Sequence, residues 1–196
     1  MNEAKPKIIL SVAGILILVV FIVVMVIVLP KLHFSVPHSI IESATVQPGY
    51  YKVSHVTDGD TFTINMDGNT ESVRMIGVDT PETVKPNSPP ECYGKEASDF
   101  SKKTLSGQTV RLEADPTNQN RDRYNRLLRY VYLPDGSLYE ATLISRGYGF
   151  AYLSFPFTKS KEFAALQETA QKQQVGLWAG QCTITNQNGR YKTNQL

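Results

Sequence analysis

Cysteine is nearly absent from this 196-residue chain, which has only Cys92 and Cys182. No third or fourth ligand lies at a suitable spacing, which argues against a zinc site. A surplus of one charge sign is also missing. Twenty lysines and arginines stand against eighteen acids, and the formal net charge of +2 is too small by itself to argue nucleic-acid binding. No internal repeat is present, so the length fits one globular domain with appendages.

One segment lacks charge altogether. Residues 8–29 are 22 residues interrupted only by Ser11 and Gly14, with Ile and Val around the whole circumference of a helix. Such a helix spans roughly 33 Å, enough for a bilayer core of about 30 Å. The run is longer than the roughly 7–15 apolar residues of a cleavable signal, and no small-x-small cleavage site follows it. A transmembrane signal-anchor is expected at 8–29, with removal as a signal peptide and secretion as the alternative. Lys5 and Lys7 precede it and Lys31 follows, so residues 1–7 are expected in the cytoplasm. The expected localisation is the cell membrane, single-pass, with the C-terminal domain extracytoplasmic. In an oxidising compartment an even cysteine count suggests a Cys92–Cys182 disulfide; two unpaired thiols are the alternative.

Residues 30–48 carry three prolines and read as a linker. A folded domain is expected over 49–182, followed by a polar, Asn- and Gln-rich tail at 183–196 that reads as mobile. Within the domain, strands are predicted at 50–56, 61–66 and 71–78, the last two joined by an Asp67-Gly68 turn. Four prolines make 81–90 a loop. Strands at 109–114 and 127–133 and helices at 96–105, 138–146 and 160–174 complete an α+β domain. A small barrel fits the strand count and lengths, although periodicity alone does not choose it over an open sheet.

The chemistry concentrates in three stretches. Arg74, Asp79 and Glu82 lie within nine residues at the end of a β-type apolar run. Asp58-Gly-Asp-Thr61 adds two carboxylates, and Arg121-Asp-Arg-Tyr-Asn-Arg126 adds three guanidiniums. A phosphodiester is an anion that repels hydroxide, so a site that hydrolyses it must first neutralise charge. Carboxylates from separate segments suit Ca²⁺, which takes about six to eight oxygen ligands in irregular geometry. Without a cation, crowded carboxylates raise one another's pKa. Arginine forks match phosphate oxygens in a way that lysine cannot. Taken singly, each stretch has an ordinary reading: Asp58-Gly59 as a turn, Thr80-Pro81-Glu82 as a helix start, and the arginines as a solvated face.

Together with Tyr93-Gly-Lys-Glu-Ala97 and Leu177-Trp178, and in this order, the motifs resemble the staphylococcal nuclease-like (thermonuclease) family over about residues 50–180. The resemblance implies a five-stranded OB-fold β-barrel with three helices. It implies a Ca²⁺-dependent nuclease acting on DNA and RNA with little sequence specificity, preferring single strands and leaving 3′-phosphates. Asp60, Asp79 and the backbone carbonyl of Thr80 would ligate Ca²⁺, with Asp58 close by. Glu82 would orient or deprotonate the attacking water. Arg74 and Arg126 would hold the scissile phosphate, Arg126 nearest the leaving 5′ oxygen. Arg123, Tyr124 and Tyr152 would contact the nucleotide. A monomer is expected.

The chain departs from the family pattern at Asn125, where glycine is usual, and at Ser154, where a second tyrosine is expected. Its 85–90 loop is proline-rich rather than lysine-rich, and the cysteine pair is an addition. Two other classes fit parts of this pattern: a catalytically silent OB module that binds nucleic acid or a modified protein side chain, and a metal-dependent phosphatase or phosphodiesterase of small nucleotides. A silent module would be expected to lose Arg74, Glu82 or Arg126, and all three are present.

Overall fold

A computed structural model describes residues 49–83 and 88–196. The expected membrane span at 8–29 and linker at 30–48 lie outside the described residues. Among the described residues, no helix is long and apolar enough to cross a membrane.

Five strands close a barrel in the order β1-β2-β3-β6-β5: β1 (Tyr50–Asp58), β2 (Thr61–Met66), β3 (Asn69–Met75), β5 (Thr109–Glu113) and β6 (Leu127–Tyr132). Closure resolves the choice that periodicity left open. Alternation fills the interior with Phe62 and Ile64 of β2, Val73 and Met75 of β3, and Tyr130 of β6, while a register shift in β1 lets both Val53 and Val56 point inward. Asp67 and Gly68 adopt φ of 53° and 84°, the left-handed pair that a two-residue hairpin between β2 and β3 requires. The barrel closes through a parallel pairing of β3 with β6 that sets Arg74 opposite Leu128.

The third strand ends three residues earlier than predicted, at Met75. Gly77, at φ 74°, turns the chain out of the barrel. The short β4 (Val78–Asp79) then pairs with β7 (Phe150–Ala151), a contact too brief for any periodic signal. Helices α1 (Gly94–Leu105), α2 (Tyr139–Ser145) and α3 (Ser160–Lys172) lie where helical spacing predicts them. Leu105, Leu143, Ile144 and Phe163 from these helices join the barrel core.

The tail corrects its expectation. Instead of being mobile, it folds as a hairpin of β8 (Ile184–Gln187) and β9 (Arg190–Thr193). Asn188 and Gly189 at its tip have φ of 53° and 82°, the same turn chemistry as Asp67-Gly68. Cys92 and Cys182 are bonded at the hairpin's base, with Cα atoms 5.7 Å apart. Cys92 N–H also donates to the Asn194 carbonyl at 2.7 Å.

Candidate active site

The β1–β2 turn, β3 and the segment after β4 meet at one end of the barrel. Asp58 ends β1 and Asp60 lies in the turn, where Gly59 permits close packing. A Cβ on Gly59 would lie 2.5 Å from Thr80 Oγ1. Through that gap the Thr80 N–H and hydroxyl both donate to Asp60 Oδ2, at 2.9 and 3.1 Å. Thr61 Oγ1 donates to the other oxygen of Asp60 at 2.9 Å.

Arg74 lies between the two acids expected to hold metal. Its Nη1 is 3.2 Å from Asp60 Oδ2 and its Nη2 is 2.7 Å from Asp79 Oδ1. Nη1 also donates to the carbonyls of Val78 and Met75, at 2.7 and 3.1 Å, which fixes the guanidinium plane. Its Nε–H and second Nη2–H have no partner among the described residues and are available to a substrate anion. Burial opposes the charge of Arg74, but Asp60 and Asp79 more than offset it and raise its pKa further.

Glu82 is held by its surroundings on both sides. Its N–H donates to Glu91 Oε2 at 3.1 Å, and its carbonyl accepts the Glu91 N–H at 2.8 Å. Its carboxylate accepts the Thr83 N–H at 3.1 Å. Asp58 accepts from the Thr83 hydroxyl at 2.7 Å and from the Gly59 N–H at 2.9 Å.

Arg126 projects from the tight turn before β6. Asn125 there has φ 64°, the left-handed backbone for which asparagine is a workable replacement for glycine. Asp122, which carries no expected role, aims Arg126: its carboxylate accepts Arg126 Nε–H at 2.7 Å and lies 2.6 Å from Nη2. The same carboxylate accepts the backbone N–H groups of Tyr124 and Arg126, so it also shapes the turn. The other two arginines of this stretch, Arg123 with its expected nucleotide contact and Arg121 with none, are placed differently. Arg123 donates to the Tyr124 hydroxyl at 2.7 Å beside the site, whereas Arg121 forms a two-pronged pair with Glu71 and acts as a strap on the barrel wall.

Asp58, Asp60, Arg74, Asp79, Thr80, Glu82, Arg123, Tyr124, Arg126 and Tyr152 line one open cleft of about 800 Å³. Cys92 and Cys182 lie outside it. Tyr124 is 64% exposed at the mouth, and Tyr152 is held by its N–H donating to the Gly77 carbonyl at 2.8 Å. The spacing of motifs missed two charged lining residues, Asp122 and Arg190. Arg190 comes from the tail, and only the Asn-Gly turn signalled that the tail folds.

Two of the cleft's carboxyls, Asp58 and Asp79, are held above the usual carboxylate range. Burial pushes Asp58 up to about 7, with hydrogen-bonded Glu82 and the charge of Asp60 adding to it and Thr83 and Gly59 opposing. Burial likewise raises Asp79 to about 6; Arg74 pulls it down, Asp60 pushes it up and Arg190 pulls it down. A divalent cation would restore their charge, and every donor present is a hard oxygen. Among the described residues, no three Asp, Glu, His or Cys side chains form a ready-made metal cage. Asp60 and Asp79, both paired with Arg74 in this cleft, are the carboxylates that could hold such a cation.

Residues 72–180 match the model of the staphylococcal nuclease homologue family. The chain is 47% identical over 130 residues to a thermonuclease of Staphylococcus hyicus, covering 66% of this chain and 75% of that protein. It is 45% identical over 137 residues to a thermonuclease of Staphylococcus intermedius, covering 69% and 80%. Endonuclease YncB of Bacillus subtilis is 37% identical over 131 residues, covering 66% and 61%. The barrel, the cleft and the match over more than half of its length place this chain in the staphylococcal nuclease family.

Proposed function

We propose that this chain is a Ca²⁺-dependent nuclease that hydrolyses phosphodiester bonds of DNA and RNA with little sequence preference and leaves 3′-phosphates. Nuclease activity follows from the family and from its thermonuclease and endonuclease relatives. The observation that carries the finer reading is Arg74 and Arg126 in the same cleft as Asp60, Asp79 and Glu82.

The two guanidiniums bind the non-bridging oxygens of the scissile phosphate and reduce its repulsion of an incoming nucleophile. Arg126, aimed by Asp122, stabilises charge that develops toward the leaving 5′ oxygen. Glu82 takes a proton from the attacking water, and its tether to Glu91 keeps its backbone fixed during that transfer. Asp60, Asp79 and the Thr80 carbonyl hold Ca²⁺, with Asp58 beside them; when bound, the ion neutralises charge and polarises the phosphate. Tyr124 and Tyr152 offer flat faces to bases. Such stacking contributes about 1–3 kcal/mol per base and tolerates any sequence, which supports a preference for single strands.

The charge-free 8–29 segment supports a single-pass anchor, residues 1–7 in the cytoplasm, a 30–48 linker and an extracytoplasmic domain from residue 49. The Cys92–Cys182 bond agrees with an oxidising compartment. The domain is proposed to act as a monomer.

The test is hydrolysis of long single-stranded DNA, RNA and a dinucleotide by the full chain with Ca²⁺, with Mg²⁺ and with chelator. Cleavage of the long substrates with Ca²⁺ alone is expected. Equal activity in chelator, or cleavage confined to the dinucleotide, would overturn the reading.

A further inference from the structure

The family match ends at residue 180, but the chain continues into the β8–β9 hairpin. This hairpin is docked at several points. Thr193 Oγ1 donates to the Cys92 carbonyl at 2.8 Å, next to the Cys92–Cys182 bond. Tyr191 stacks on Phe150 with ring centroids 5.5 Å apart and meets Trp178 edge-on at 5.7 Å. Phe150 is the β7 partner of Asp79. The hairpin is thus registered against the strand that carries a cleft carboxylate.

That docking places Arg190 on the lip of the cleft, with its guanidinium carbon 5.8 Å from the centroid of the Tyr152 ring. Arg74, Arg121 and Arg126 are each ion-paired, whereas Arg190 is exposed and forms no ion pair among the described residues. Past Arg190 a second hollow of about 300 Å³ runs on toward Tyr191 and Lys192. It shares Asp79, Glu82, Tyr124 and Arg190 with the cleft, so the two form one continuous trough.

A trough leading away from the reacting groups, with the Tyr152 ring and the exposed Arg190 guanidinium at its edge, suits a second stretch of the same strand. We propose that Arg190 binds a non-scissile backbone phosphate of the single-stranded substrate while Tyr152 stacks on a neighbouring base, and that Lys192 adds positive charge further along. Guanidinium forks suit phosphate oxygens, and the site reads backbone rather than sequence. The hairpin thereby makes affinity depend on strand length. This subsite rests on the nuclease reading above and extends it.

The test uses the full chain, Arg190→Ala and Arg190→Lys. Binding of a long single-stranded DNA is read by fluorescence anisotropy across a salt series, and KM is read for that strand and for a dinucleotide. Losing one charge-assisted contact weakens binding of the long strand about tenfold in Arg190→Ala. The slope of log affinity against log salt becomes shallower by about 0.7, as expected for one phosphate contact on a single strand, and Arg190→Lys keeps the slope. KM rises more for the long strand than for the dinucleotide. An unchanged slope in Arg190→Ala, or an equal loss on both substrates, overturns the subsite. Failure of the wild-type chain to hydrolyse either substrate would sink the nuclease reading, while the binding series would still decide the role of Arg190.

Discussion

Asp122 accepts the Nε–H of Arg126 at 2.7 Å while its other oxygen accepts the backbone N–H of the same residue at 3.0 Å. One carboxylate therefore sets both the turn and the direction of the guanidinium it carries. Asp122→Ala should lower kcat by about 10–100-fold, the usual cost of removing a group that orients a reacting side chain. Arg126→Ala combined with Asp122→Ala should be little worse than Arg126→Ala alone, because the two act as a unit. Additive losses in steady-state kinetics would show that Asp122 works through something else.

Glu82 and Arg126 are assigned separate steps, proton removal and charge stabilisation. Glu82→Gln keeps the shape and removes the base, and Arg126→Ala removes one forked donor. Each should reduce kcat by at least about 100-fold, with folding unchanged by circular dichroism. Full activity in either variant would remove that residue from the chemistry.

Asp60 and Asp79 both pair with Arg74, which holds the two carboxylates on one guanidinium. Asp79→Asn should weaken Ca²⁺ binding about tenfold or more by calorimetry, through loss of a charged oxygen ligand, and should leave thermal stability largely intact. Unchanged Ca²⁺ affinity in this variant would place the ion elsewhere.

Asp115 does not line the cleft and contributes to acid stability. Burial would push its carboxyl up, but the hydroxyls of Thr117, Thr158 and Tyr130 and the Thr158 N–H outweigh burial and hold it well below the usual carboxylate range. Its folded pKa is depressed, so its stabilisation is complete above about pH 4, where an unfolded Asp is ionised, and is lost as pH falls toward the folded value. Asp115→Asn should cost about 2 kcal/mol in urea unfolding at pH 7, since one carboxylate oxygen that accepts from the buried Tyr130 hydroxyl and from Thr158 is replaced by an amide nitrogen. The gap from wild type should shrink at pH 3. A gap independent of pH would contradict the sign of this coupling.

What the sequence disclosed depended on how local each signal was. The Asp67-Gly68 hairpin, three amphipathic helices and four ordered motifs are local, and each lies at or near its predicted place. Asn188-Gly189 carries the same turn signal, but the polar, Asn- and Gln-rich composition around it outweighed that signal and hid β8 and β9. Arg190 reaches the cleft only because a disulfide and a Phe150–Tyr191 stack join segments far apart in the chain, which no periodicity records. Asp122 was in plain view within a quoted motif. Its role needed the turn geometry, because a carboxylate among arginines reads equally well as a solvated charge.

The spacing between Arg74 and the turn that bears Arg126 is set by the parallel register of β3 against β6. Side chains alternate along a strand, so a slip of one residue would swap Arg74 with the wholly buried Val73 and force a cation into the oily interior. Intermediate spacings are therefore inaccessible, and catalysis switches off together with the barrel rather than fading ahead of it. Residual cleavage rate along a denaturant titration should then count intact molecules directly, tracking the loss of tyrosine near-UV ellipticity point for point.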